Sequence, residues 1–192
     1  MSDLFKISAR SRETLTRRRF LRLGAFSAAL VSLPGAAFAG LRFPSAARSL
    51  AFYNTHTGET LKSVYWENGR YVPGALKEID HILRDFRVNE TRPIEPSLLD
   101  LLHVIGGKLD TPAPFHIISG YRSAATNAML ASHSEGVARH SLHQYGKAID
   151  IRVPGRELST LRRVALAMRG GGVGYYPRPD FVHVDVGRVR YW

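Results

Sequence analysis

The residues of this 192-residue chain that could do chemistry together are concentrated in two stretches. Ser141-Leu142-His143-Gln144-Tyr145-Gly146-Lys147-Ala148-Ile149-Asp150 sets a histidine and an aspartate seven positions apart, and Phe181-Val182-His183-Val184-Asp185 carries a second histidine. His143 falls at the end of a loop, Asp150 on a predicted strand, and Gly146 permits a bend that would bring the two side chains to one ion. Zinc accepts imidazole nitrogen and carboxylate oxygen alike, and a third ligand comes from a distant element, for which His183 is available. Spacing alone leaves other readings open. His143 reads equally as a hydrogen-bonded surface histidine, and Asp150 as a polar residue at a strand edge. Asp185 shares a strand face with His183, since residues i and i+2 point the same way, and could orient its imidazole.

Composition narrows the chemistry further. There is no cysteine, which excludes disulfides, thiolate-held zinc, iron–sulfur clusters and a thiol nucleophile. No G-x-S-x-G motif is present, so the serine-hydrolase elbow is excluded as well.

These residues must be positioned by a mixed framework. Two predicted strands, Ser49–Asn54 and Leu61–Trp66, flank a Gly58-containing hairpin turn. Pro73 opens a helix with Leu76, Ile79, Leu83 and Phe86 on one face. Glu95-Pro96 opens another, with Leu98, Leu99, Leu102 and Ile105 buried and Gly106-Gly107 as its stop. Phe115–Ile118 reads as a buried strand, Ser123 as the cap of a helix to about Ser132, and Ser134–Leu142 as a loop. Lys147–Val153 is a strand with alternating faces. A last helix over Leu158–Met168 is stopped by Gly170-Gly171-Gly172, and Val173–Tyr176, Phe181–Val186 and Val189–Trp192 close the sheet. Strands and helices mix without βαβ repetition, which predicts an α+β fold with helices packed on a mostly antiparallel sheet.

The N-terminal 39 residues read as an address. Thr16-Arg17-Arg18-Arg19-Phe20-Leu21-Arg22 resembles the twin-arginine export motif. A mostly apolar run over Leu23–Leu33 follows, and then a small-x-small cleavage signature, Ala37-Phe38-Ala39. The expectation is a signal peptide over 1–39, engaged by the twin-arginine translocase, and a single domain over 40–192 in the periplasm without stable membrane insertion after cleavage. The formal charge is +11; the first 39 residues hold seven basic and two acidic residues, leaving 20 basic and 14 acidic, a net +6, for the remainder. That surface favours polyanions in general. With no basic stripe and no aromatic–basic repeat, no nucleic-acid partner is expected.

The ten-residue stretch ending at Asp150 matches the S-x-H-x-x-G-x-A-x-D motif of the LAS metallopeptidases, a family named for lysostaphin, D-Ala-D-Ala peptidases and hedgehog. Phe181–Asp185 matches that family's third-ligand strand. With Ile118-Ser119-Gly120-Tyr121-Arg122-Ser123 and Gly174-Tyr175-Tyr176-Pro177, the chain is similar to the MepK-like branch of murein endopeptidases over nearly all of residues 46–192. The resemblance implies a hedgehog/DD-peptidase-like fold. It implies a Zn2+ ion held by His143, Asp150 and His183, with water in the fourth position. It implies that Asp180, three positions before the third ligand, is the general base, with Asp185 its rival. Arg122 would be the cationic group beside the reacting carbonyl, stabilising the developing oxyanion or gripping a substrate carboxylate. Where many LAS members have a histidine two positions before the ligand, this chain has Phe181. The implied substrate is peptidoglycan, cut at D-Ala–diaminopimelate (D,D) or diaminopimelate–diaminopimelate (L,D) crosslinks. The alternatives are a carboxypeptidase trimming terminal D-Ala and a zinc-stabilised wall-binding module without turnover.

Overall fold

A computed structural model describes residues 47–134 and 137–192; the twin-arginine segment expected over 1–39 lies outside the described residues. Eight strands form one sheet, β1 (Arg48–Asn54), β2 (Thr60–Glu67), β3 (Arg70–Tyr71), β4 (Phe115–Ser119), β5 (Ala148–Arg152), β6 (Gly172–Tyr176), β7 (Phe181–Asp185) and β8 (Arg190–Tyr191). Their spatial order is β3-β2-β1-β4-β5-β7-β6-β8. Only the β1–β4 and β6–β8 pairings are parallel, so the expected α+β class with a mostly antiparallel sheet is what the chain adopts.

Side-chain alternation gives the sheet two unlike faces. Phe52 of β1, Ile117 of β4, Ile149 and Ile151 of β5 and Val182 and Val184 of β7 point into one apolar core. The helices α1 (Pro73–Ile82), α2 (Pro96–Leu109) and α4 (Leu158–Met168) cover that face. Leu98, Leu99, Leu102 and Ile105 of α2 are completely buried there, each worth about 1.5–3 kcal/mol relative to exposure. The intervening residues, Asp150 on β5 and His183 and Asp185 on β7, fall on the opposite face. The fourth helix, α3 (Ala124–His133), adds nothing to the apolar core; its buried residues are Thr126 and Asn127.

Two expectations about helices need correction. Phe86 does not extend the apolar face of α1, because that helix ends at Ile82 with Leu83 as its cap. The cause is Asp85, buried and accepting the backbone N–H groups of Ser123 at 2.9 Å and Arg87 at 3.2 Å, which turns the chain away. Conversely, α2 does not stop at Gly106-Gly107. It runs on to Leu109, whose burial holds the last turn, and ends at Asp110 in a left-handed conformation. Two glycines weaken a helix by roughly 0.5–1 kcal/mol each relative to alanine, which burial of one leucine offsets. Among the described residues, no helix is long and apolar enough to cross a membrane.

Candidate metal centre

Antiparallel pairing of β5 with β7 sets Asp150 directly opposite His183. Opposed residues on one face of such a pair have Cβ atoms about 4.5–5.5 Å apart, close enough for their side chains to touch. Asp150 Oδ1 lies 2.8 Å from His183 Nδ1. His143 arrives from a single 3-10 turn over Leu142–Tyr145, capped by the Ser141 hydroxyl and closed by Gly146. Gly146 is required here, since its φ is +65° and a Cβ would lie 2.3 Å from the Pro93 carbonyl oxygen. The turn delivers His143 Nε2 to 3.1 Å from His183 Nδ1 and 3.2 Å from Asp150 Oδ1. The three residues named from the sequence therefore meet, all buried.

Their outer partners fix which atoms hold protons. His143 Nδ1 lies 2.7 Å from the Gly120 carbonyl, which can only accept, so Nδ1 is the N–H donor and Nε2 keeps a lone pair. His183 Nε2 lies 3.0 Å from Asp185 Oδ2, so Nε2 donates and Nδ1 keeps its lone pair. With both rings neutral, two imidazole lone pairs and a carboxylate oxygen converge, a donor set that a cation fits. Two nitrogens and one oxygen suit zinc, and three protein ligands with a free side is the arrangement of catalytic zinc.

Electrostatics agree with that assignment. Burial pushes the His143 imidazole pKa down, keeping it neutral as a ligand must be. Burial would raise the Asp150 carboxyl, but the adjoining His143 and His183 imidazoles hold it well below the usual carboxylate range. For His183 burial is outweighed by Asp150 and Asp185, which raise its pKa. Only the neutral ring can ligate, so an ion would compete with a proton at Nδ1.

Asp185 is completely buried and accepts from Gly172 N and Gly187 N, both at 2.8 Å, and from Arg190 at 2.6 and 3.1 Å, besides His183. With no exposure, its carboxylate faces the His183 imidazole and is absent from the lining of the cleft. Arg122 is 8% exposed and donates through Nη2 to Asp150 Oδ2 at 3.3 Å, while its Nε is buried without a partner. Burial lowers its pKa, and the nearby Arg87 adds repulsion against the attraction of Asp150. The structure does not bring Asp180 to the triad. It sits in a left-handed turn conformation on the surface, paired with Arg152 at 3.0 Å.

The triad floors an open cleft of about 590 Å3. Leu130 of α3 and Leu142 border it, and Tyr176, Phe181 and Trp192 form an aromatic wall. Tyr176 and Phe181 stack at 4.6 Å, the Trp192 indole donates to the Tyr176 hydroxyl at 2.7 Å, and its ring lies 5.3 Å from that of His183. Trp192, Arg190 and Arg87 are site residues that no sequence motif singled out.

The family model for peptidoglycan L,D-endopeptidase MepK matches residues 43–192. This chain belongs to the MepK family. The peptidoglycan L,D-endopeptidase MepK of Escherichia coli K12 is 44% identical over 176 residues, covering 92% of this chain and 96% of that protein. A probable peptidoglycan L,D-endopeptidase MepK of Haemophilus influenzae is 40% identical over 177 residues, covering 92% and 95%. A solved structure, the L-Ala D-Glu endopeptidase ChiX of Serratia marcescens, overlaps 48% of this chain and 80% of its own at 18% identity and a TM-score of 0.34, too slight an overlap to bear on the argument.

Because Asp185 fixes the His183 ring, Asp185→Asn should weaken zinc binding about 10- to 100-fold, read by competition with a chromogenic chelator. Unchanged affinity would show that Asp185 does not tune this ligand.

Proposed function

We propose that the protein is an exported, zinc-dependent peptidase that hydrolyses peptide crosslinks of periplasmic peptidoglycan, at the L,D bond between two diaminopimelates. The observation that carries this reading is the meeting of His143 Nε2, Asp150 Oδ1 and His183 Nδ1 at the floor of an open cleft, in a chain of the MepK family. The names of the relatives specify the L,D bond and favour it over the D,D bond and over trimming of a terminal D-Ala. A cleft lined by the triad and Arg122 together favours turnover over mere wall binding.

His143, Asp150 and His183 would hold the ion, which when bound supplies a Lewis acid that activates water and polarises the scissile carbonyl. Arg122, fixed at the cleft floor and always charged, faces the negative charge that develops on the carbonyl oxygen. The Tyr176–Phe181–Trp192 wall packs the stem peptide and excludes bulk water. The resemblance assigns the proton transfer from water to the leaving amine to Asp180, whose carboxylate must leave Arg152 to do so. Asp180 stands between Pro179 and Phe181, both of which line the cleft. Its pairing with Arg152 is exposed, so breaking it costs about 0–1 kcal/mol. An enzyme that takes up its ion before export fits a translocase that carries folded proteins.

Purified protein should release crosslinks from sacculi, lose that activity to a chelator and regain it with zinc. His143→Ala, Asp150→Ala and His183→Ala should each abolish it with native-like circular dichroism, since a core of this size does not depend on a metal staple. Full activity in a metal-free preparation would sink the metallopeptidase reading. In the same assay Asp180→Asn should cut turnover about 100- to 10,000-fold at unchanged zinc content; a loss below about tenfold moves the proton step to another group. For export, Arg17→Lys with Arg18→Lys should leave precursor in the cytoplasm, and normal periplasmic levels of that variant would overturn the routing.

A further inference from the structure

The cleft is lopsided in charge. Three arginines, Arg87, Arg122 and Arg190, line it, and Asp150 is the one carboxylate among its described lining residues. Arg190 is committed to Asp185, and Arg122 spends one guanidinium nitrogen on Asp150. What remains unspent is Arg87. The Arg87 guanidinium rests 4.4 Å over the Phe86 ring, and no ion pair among the described residues includes it. His56 stacks on the same Phe86 at 4.2 Å and 14°, and its Nε2 donates to the Ile118 carbonyl at 2.9 Å, which sets the ring beside the cleft. Arg122 Nε, by contrast, is buried and closed to a ligand in the cleft.

An arginine stacked on an aromatic ring keeps its fork of N–H donors pre-oriented and loses little freedom on binding. Such a fork matches a carboxylate in a bidentate pair, which a neutral amide cannot replace. We propose that Arg87, seated on Phe86 beside His56, forms a subsite for a free carboxylate of the substrate. This rests on the crosslink-peptidase reading above, which supplies the carboxylate: the diaminopimelate carbon that bears the scissile nitrogen also bears a carboxyl group outside the crosslink. Arg87 is then a specificity residue that reads the acidity of the amine-side residue, while the chemistry stays with the triad.

The test uses two crosslinked dimers that differ only in that carboxyl group, free in one and amidated in the other. Wild type should favour the free acid by about 10- to 100-fold in kcat/KM, mainly through KM, the range of a charge-assisted hydrogen bond. Arg87→Ala should lose about that factor on the acid and nothing on the amide, and Arg87→Lys should recover part of it. Equal losses on both dimers, or no loss on either, would overturn the subsite while wild-type cleavage upholds the peptidase. Wild type that cuts neither dimer overturns the peptidase reading, and the subsite falls with it.

Discussion

Asp150 stands opposite His183 because β5 and β7 pair in one register, and that pairing constrains everything else at the site. A slip of one residue would turn Asp150 into the apolar core and Ile149 or Ile151 into the cleft. Ile149, Ile151, Val182 and Val184, each at most 1% exposed, make such a slip costly. Core and metal centre are therefore the two faces of one constraint. The desolvated carboxylate also needs its partners in place. Arg122 takes one oxygen and the two imidazoles face the other.

The strands fix two ligands, but the third and its supports depend on close approach of irregular backbone. The 3-10 turn bearing His143 nests against Pro93, and the Arg122 backbone donates to the His143 carbonyl at 3.2 Å, tying the turn to the end of β4. On the far side, Gly174 leaves room for Trp192: a Cβ there would lie 2.7 Å from the indole. That clearance lets β8 lie along β6, bringing Arg190 to Asp185 and Trp192 to His183. The positions that look least chemical thus decide how firmly the chemical ones are held.

This explains what was legible in the sequence. Strand alternation and helix periodicity placed nearly every element, because they depend only on neighbours along the chain. The ligands were legible through the motif around His143 and Asp150, and Asp185 through its i+2 relation to His183. Phe86 was misplaced because the turn at Asp85 is made by Ser123, 38 positions away. Gly170–Gly172 read as a helix stop, yet the Gly172 N–H is also a donor to Asp185, and nothing local announces that. Arg87 and Trp192 reach the cleft by tertiary packing alone. Asp180 matched the expected position in sequence but lies with its carboxylate on Arg152, because spacing along a strand does not say where a turn residue points.

The charges around the triad form a closed chain: Arg122, Asp150, the two imidazoles, Asp185 and Arg190. Two arginines balance two aspartates, and the histidines as ligands are neutral, so this set has no net charge before an ion enters. The arrangement matters for a Lewis acid. Carboxylates that were not countered on their outer sides would cancel the charge of the ion they hold and blunt its pull on a carbonyl oxygen. Here each carboxylate orients or ligates while an arginine neutralises it. The charge of a bound dication would therefore remain largely uncompensated at the floor of a cleft that Arg87, without an ion pair among the described residues, also lines. A cleft of that sign draws in an anionic polymer over distances of about a Debye length, roughly 8–10 Å at physiological salt. On the proposed function it would also hold the reacting carbonyl where opposing positive charge is strongest, so that substrate attraction and transition-state stabilisation would come from the same pairing of arginine with aspartate.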